Sequence, residues 1–115
     1  MELIIILSEK EENLPQLNSL IQNGDWDNII ILSANNKTIP TSKPNEVIQI
    51  NTNQPVLQLR DEIKSKLQGK IKGLETAISI ASGTGKEHMA LISALLNLPV
   101  GVKFVVYTSK GVVEL

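Results

Sequence analysis

The chain has 115 residues, of which 42% are hydrophobic and 20% charged, and its formal net charge is −1 at pH 7. This length predicts one domain with one modest core, and the small net charge excludes a global basic field that attracts long nucleic acid. The chain contains no cysteine, which excludes a disulfide scaffold and a cysteine-ligated metal site.

The first half of the chain predicts three strands, one helix and one loop. Residues 2–7, ELIIIL, form a continuous aliphatic run, which is typical of a parallel strand buried on both faces. The apolar residues that follow are spaced as on one face of a helix, which Gly24 is expected to end: Leu14, Leu17, Leu20 and Ile21. The remaining elements are an apolar strand at 28–33, a polar loop at 34–45 and an alternating strand at 46–51.

The second half predicts two helices, one parallel strand and a hairpin. The first helix carries its apolar face on Val56, Leu59, Ile63 and Leu67 and is expected to end at Gly69. The later elements are a strand at 74–82, a helix at 86–98 and a hairpin at 101–115 that turns at Ser109-Lys110-Gly111. The order β-α-β-β-α-β-α-β-β predicts a single Rossmann-like α/β domain over residues 1–115. Its sheet is mostly parallel, with a C-terminal antiparallel hairpin.

Small polar residues follow the strands of this predicted sheet. In parallel α/β sheets, ligands bind beyond the carboxyl ends of the strands. That rule selects Ser8 and Glu9, Ser33 to Asn36, 51–53, Ser82 to Lys86, and Thr108 and Ser109. These residues suit a polar ligand, but loops after strands are polar in general, so the enrichment alone is a weak indication.

The turn SGTGK at 82–86 joins an apolar strand to a helix. Glycine lets the backbone approach a ligand closely, and helix N-terminal amides together with Lys86 favour an anion. The alternative is purely structural, because a tight turn before a helix needs glycine. In that interpretation Thr84 is the N-cap and Glu87 completes a capping box.

Two phosphate-binding motifs are excluded at this turn. A Walker A loop requires glycine where Ile80 stands and serine or threonine where Glu87 stands. The dinucleotide fingerprint requires a third glycine where His88 stands. The turn therefore predicts neither an ATPase or GTPase nor a dinucleotide-dependent enzyme.

Residues 78–115 resemble the C-terminal half of a CARF domain, the CRISPR-associated Rossmann fold. The matching features are the turn Ser82-Gly83-Thr84-Gly85-Lys86, the pair Met89-Ala90 in the helix and Tyr107 at the end of the next strand. Thr84 and Gly85 depart from the family, which more often has Gly and then Thr or Arg there. The order of elements agrees over nearly the whole chain, including Ser8 after the first strand, although the region between strands two and three is shorter than usual.

The resemblance implies a ring nuclease, a protein that binds cyclic oligoadenylate across a homodimer and opens it without metal. The expected ring is cyclic tetra-adenylate and the products are linear with a 2′,3′-cyclic phosphate, which ends type III CRISPR signalling. Ser8 and Lys86 are implied as catalytic. The strand-end rule and the resemblance together predict these ligand contacts: Glu9, Ser33, Asn35, Asn36, Ser82, Gly83, Thr84, Gly85, His88, Met89 and Tyr107.

Two alternatives to this function stay open. The first is a non-catalytic sensor or sponge for cyclic oligoadenylate that acts through a separate partner. The second is an unrelated Rossmann-like protein whose glycine turn is only a turn. No cofactor is expected, and a single His without Cys gives no credible zinc site. The start lacks a basic region and a membrane-spanning stretch, so we expect a cytoplasmic protein without membrane contact.

Several further residues have a structural and a functional interpretation. His88, the only imidazole, is either an exposed or capping residue or an acid–base group near the pocket. Trp26 is expected to be a packing cap at the amino edge of the sheet, and Tyr107 either packs at an edge or stacks on adenine. Four lysines are expected to form a solvated basic face or, alternatively, to contact phosphate or a partner. They are Lys64, Lys66, Lys70 and Lys72.

Overall fold

The computed structural model describes residues 1–9 and 12–115. Its elements are β1 (Glu2–Leu7), α1 (Leu14–Asn23), β2 (Asn28–Ser33), β3 (Asn45–Gln49), α2 (Val56–Leu67), β4 (Glu75–Ile78), α3 (Gly85–Leu96), β5 (Gly101–Thr108) and β6 (Gly111–Glu114). This is the predicted Rossmann-like α/β fold with its antiparallel C-terminal hairpin. No helix in the described ranges is long and apolar enough to cross a membrane.

The six strands form one sheet in the order β3-β2-β1-β4-β5-β6. All neighbouring strands pair in parallel except β5 and β6. From β1 the chain first moves outward to β2 and β3, and then returns to place β4 on the other side of β1. The strand order therefore reverses between β1 and β4, and such a switch point opens a crevice at the carboxyl ends of the strands.

Both faces of the central strands are buried. On one face, Ile4 and Ile6 of β1 pack with residues of α2 and α3, such as Leu59 and Leu91. On the other face, the alternate residues of β1 pack with α1, where Leu17 is fully buried. Double coverage explains why β1 and β2 are continuous aliphatic runs and not alternating ones.

The strand before the glycine turn is shorter than the sequence predicts, since β4 ends at Ile78 and not at residue 82. The Ser79 N–H still donates to the Ile4 carbonyl at 3.1 Å. The Ser79 hydroxyl then accepts from the Ala81 N–H at 3.2 Å. Such local side-chain bonds favour turns over strands, so the chain leaves the sheet before the glycines begin.

Trp26 packs at the amino edge of the sheet, as predicted. Its Nε1–H donates to the Leu20 carbonyl at 2.7 Å, near the end of α1, and its ring packs against the cluster under α1. Gly24 makes this possible, because a Cβ at that position would lie 2.2 Å from the indole ring.

Candidate functional site

The loops after β1, β3 and β4 meet at the switch point around a cavity of about 80 Å³. Its lining residues are Ser8, Glu9, Thr52, Asn53, Thr84, Lys86 and Glu87. Ser8 and Lys86, from opposite ends of the sequence, thus come to one cavity together with Glu9 and Thr84. The sequence predicts Glu87 only as a helix cap, yet it lines the cavity as well.

The glycine turn is fixed by hydrogen bonds from both sides. The Asn13 N–H donates to the Ser82 hydroxyl at 2.6 Å, which ties the start of α1 to the turn. His88 Nε2 lies 2.8 Å from the Ser82 carbonyl oxygen, and because a carbonyl only accepts, Nε2 carries the proton in this bond. Gly83 has φ of +106°, a conformation that strongly favours glycine.

The N-terminus of α3 carries the capping box that the structural interpretation predicts. The Glu87 N–H donates to Thr84 Oγ1 at 3.3 Å, and the Thr84 N–H donates to Glu87 Oε1 at 2.7 Å. This box satisfies the donors of the N-cap and third residues. The N–H groups of the first two helical residues, Gly85 and Lys86, are not used by it.

Glu87 also links α3 to the end of β1. The Ser8 hydroxyl donates to Glu87 Oε2 at 3.3 Å. Both side chains are almost fully buried, with 1% of Ser8 and 3% of Glu87 exposed. The polar floor of the cavity is therefore a serine hydroxyl held on a buried carboxylate.

Lys86 spans the mouth of the cavity. Its Nζ donates to the carbonyl oxygens of Thr52, at 2.7 Å, and Gln54, at 3.0 Å. Both carbonyls belong to the loop after β3, so Lys86 holds that loop against the N-terminus of α3. These bonds use two of the three protons of the ammonium group and place a positive charge at the rim.

A second cavity of about 220 Å³ continues from the first across the ends of β2 and β3. It shares Glu9, Thr52 and Asn53 with the first cavity and adds residues such as Asn35 and Glu62. The two cavities form one cleft along the carboxyl edge of the sheet, which we call the strand-end cleft.

Glu62 is a fixed negative group in this cleft. Its Oε1 accepts from the Asn51 N–H at 3.0 Å and from Gln54 Nε2 at 2.6 Å, and its Oε2 accepts from Lys66 Nζ at 2.8 Å. Partial burial works against ionisation, but the bonds from Lys66, Asn51 and Gln54 outweigh it and lower the pKa of Glu62. The side chain therefore stays ionised at neutral pH.

A cation that sequence reasoning missed lies beside Ser8. Lys37 Nζ donates to Glu12 Oε1 at 2.9 Å and to the Ser8 carbonyl at 3.4 Å. The loop between β2 and β3 thus reaches over the end of β1, and it is anchored by Ile39, which is 4% exposed. The only sequence signal was a lone lysine within a polar loop, ANNKT.

Several implied ligand contacts do not line the strand-end cleft. Ser33 is fully buried, and its hydroxyl has no hydrogen-bond partner in the described part of the chain. Asn36 is exposed with φ of +55°, and His88 is engaged inside the turn. These residues shape the surroundings of the cleft and not its wall.

Met89 and Tyr107 lie on other surfaces. Met89 is 62% exposed and lines a shallow groove with Leu57 and Arg60 of α2. Tyr107 packs on the α1 side of the sheet. The Gln16 side chain accepts from the Tyr107 N–H at 2.6 Å and donates to its carbonyl at 3.1 Å. This agrees with the edge-packing interpretation of Tyr107.

The fold and the switch-point cleft define a Rossmann-like α/β domain. Comparisons of the chain with family models, with curated proteins and with solved structures found no significant match.

Proposed function

We propose that the protein binds cyclic tetra-adenylate across a homodimer and opens the ring without a metal. The observation that carries this proposal is the meeting of Ser8, Thr84 and Lys86 at one cavity. The resemblance of residues 78–115 to CARF domains supplies the ligand class. Opening the ring would end type III CRISPR signalling.

The N-terminus of α3 suits a phosphate. The capping box leaves the N–H groups of Gly85 and Lys86 for a ligand, and helix N-termini favour anions. A Cβ added at Gly85 would meet nothing within 4 Å, so a phosphate oxygen has room to approach the backbone there. Lys86 adds a full positive charge at the rim.

The size of the cleft favours a site shared by two chains. Its parts measure about 80 Å³ and about 220 Å³, which together reach only the lower end of the roughly 300–1,000 Å³ of pockets for single small ligands. A ring of four nucleotides is therefore too large for one chain to enclose. In a two-fold dimer each chain offers the same donors to equivalent phosphates of a symmetric ring.

The chemistry asks little of the protein beyond placement and charge. A ribose 2′-oxygen attacks its own neighbouring phosphorus while the bond to the 5′-oxygen breaks, which leaves a 2′,3′-cyclic phosphate. The protein has to align attack and departure and to stabilise the charge on the phosphorane. Lys86 and the α3 amides serve the second need, and the Ser8 hydroxyl orients the reacting groups.

Two observations favour the alternative, a non-catalytic sensor or sponge. Ser8 is buried against Glu87, and Lys86 is engaged by two backbone carbonyls. A site whose reactive groups are held in this way is suited to binding a ring without turning it over.

Incubation with cyclic tetra-adenylate in EDTA, followed by chromatography, tests the proposal. We expect linear di-adenylate that ends in a 2′,3′-cyclic phosphate. Recovery of the intact ring from a tight complex would replace the nuclease with the sensor or sponge. Absence of both binding and cleavage would contradict the proposed function altogether.

A further inference from the structure

Glu87 is a buried carboxylate in a site proposed to hold phosphate. It lies on the first turn of α3, directly after Lys86, and it lines the cavity. Its Oε1 is occupied by the Thr84 N–H at 2.7 Å. Its Oε2 accepts from the Ser8 hydroxyl at 3.3 Å. Because each carboxylate oxygen has two lone-pair sites, Oε2 can accept one further hydrogen bond in the cavity that Glu87 lines.

The chemistry of Glu87 restricts which part of a ligand can face it. An ionised carboxylate only accepts hydrogen bonds, and a phosphodiester has no proton to donate. Two anions in a partly desolvated cavity also repel each other strongly. The group that faces Glu87 must therefore be a neutral donor, while the phosphate lies toward Lys86 and the α3 amides.

An RNA linkage presents such a pair of groups side by side. Its ribose 2′-hydroxyl, a donor, is vicinal to the 3′-oxygen that carries the phosphate. The protein presents the matching pair, since the acceptor Glu87 and the cation Lys86 line the same cavity. The 2′-hydroxyl is also the group by which proteins distinguish RNA from DNA.

On the basis of the proposed function, we infer that Glu87 binds the ribose 2′-hydroxyl, selects ribose over deoxyribose rings and acts as the general base. In the step, the 2′-hydroxyl proton moves to Glu87 Oε2 as the bond between the 2′-oxygen and phosphorus forms. The bond from phosphorus to the 5′-oxygen breaks, and the 5′-oxygen takes a proton from water. Glu87 then returns its proton to solvent. Ser8 is a positioning residue here, because its hydroxyl holds Oε2.

The capping role of Glu87 can be separated from this one. Glutamine also completes a capping box, because its carbonyl oxygen can accept the Thr84 N–H. Glu87→Gln therefore keeps the helix start, removes the charge and the capacity to take a proton, and replaces the acceptor Oε2 with an amide NH2 donor. Glu46→Gln is the matched control, since Glu46 pairs with Lys70 at 2.6 Å and lies at the opposite edge of the sheet.

The test compares cyclic tetra-adenylate with its all-2′-deoxy counterpart. We expect wild type to bind the ribose ring at least about tenfold more tightly, as loss of a hydrogen bond to a charged group implies. Glu87→Gln should bind both rings within about threefold of each other and open the ribose ring about 100-fold more slowly. Glu46→Gln should match wild type in both respects.

Two results would overturn the inference while leaving the proposed function intact. One is equal binding of both rings by the wild-type protein. This measurement needs no variant, so it does not depend on whether Glu87→Gln folds. The other is Glu87→Gln with wild-type selectivity and turnover. Failure of wild type to bind either ring would instead contradict the proposed function itself, and the inference with it.

Discussion

Lys86→Ala is expected to lower the rate of ring opening by about 100-fold, the usual effect of removing one group that stabilises transition-state charge. The lysine supplies the only full positive charge among the residues that line the smaller cavity. Its bonds to the Thr52 and Gln54 carbonyls are exposed, so the free energy of unfolding should change by no more than about 1 kcal/mol. Single-turnover rates and thermal melts measure the two effects separately.

Lys86→Gln and Lys72→Ala complete this experiment. Glutamine keeps a donor but no charge, so Lys86→Gln should be nearly as slow as Lys86→Ala if the charge is what matters. Lys72 lies with Met1 and Asp27 at the amino end of the sheet, opposite the cleft, and its removal should leave turnover unchanged. Wild-type turnover by Lys86→Ala would remove this residue from the site.

The two glycines of the turn are expected to respond in opposite ways to alanine. Gly83 has φ of +106°, and its added Cβ would lie 3.1 Å from both Glu87 Oε1 and His88 Nε2. Gly83→Ala should therefore lower the free energy of unfolding by about 1–3 kcal/mol. At Gly85 the added Cβ would meet nothing within 4 Å, so Gly85→Ala should raise stability by about 0.4–1 kcal/mol.

The effect of Gly85→Ala on ligand binding is expected to oppose its effect on stability. The methyl group of Gly85→Ala occupies the space in which a phosphate would approach the α3 amides, so binding of cyclic tetra-adenylate should weaken although the protein is more stable. Thermal melts with and without the ring measure both quantities. A Gly85→Ala variant that binds like wild type would show that phosphate does not approach the backbone at this turn.

Most of the fold was predictable because burial dictates the sequence locally. β1 and β2 begin and end as predicted, since strands covered on both faces require continuous aliphatic runs. The capping box at Thr84 and Glu87 was also readable, because it depends on residues only three apart. The end of β4 was not predictable. The Ser79 hydroxyl accepts a hydrogen bond that favours a turn there, and the pattern of apolar residues gives no sign of this bond.

The cleft was only partly predictable, because its wall is assembled from distant segments. Strand-end rules brought Ser8 and Lys86 to one place, but the contact between Ser8 and Glu87 joins residues 79 positions apart. Lys37 reaches Ser8 through a loop without regular structure. The directions of side chains were not predictable either. Met89 and Tyr107 belong to the motif in the sequence, but their side chains lie on other surfaces than the cleft.

The stoichiometry of ring binding, measured by isothermal titration calorimetry, tests the central claim most directly. If the strand-end cleft is half of a two-fold site, cyclic tetra-adenylate will bind with one ring for every two chains. The complex will then have the mass of a dimer in solution. Binding of one ring per chain to a monomer would contradict the shared site, and no heat of binding would contradict the ligand.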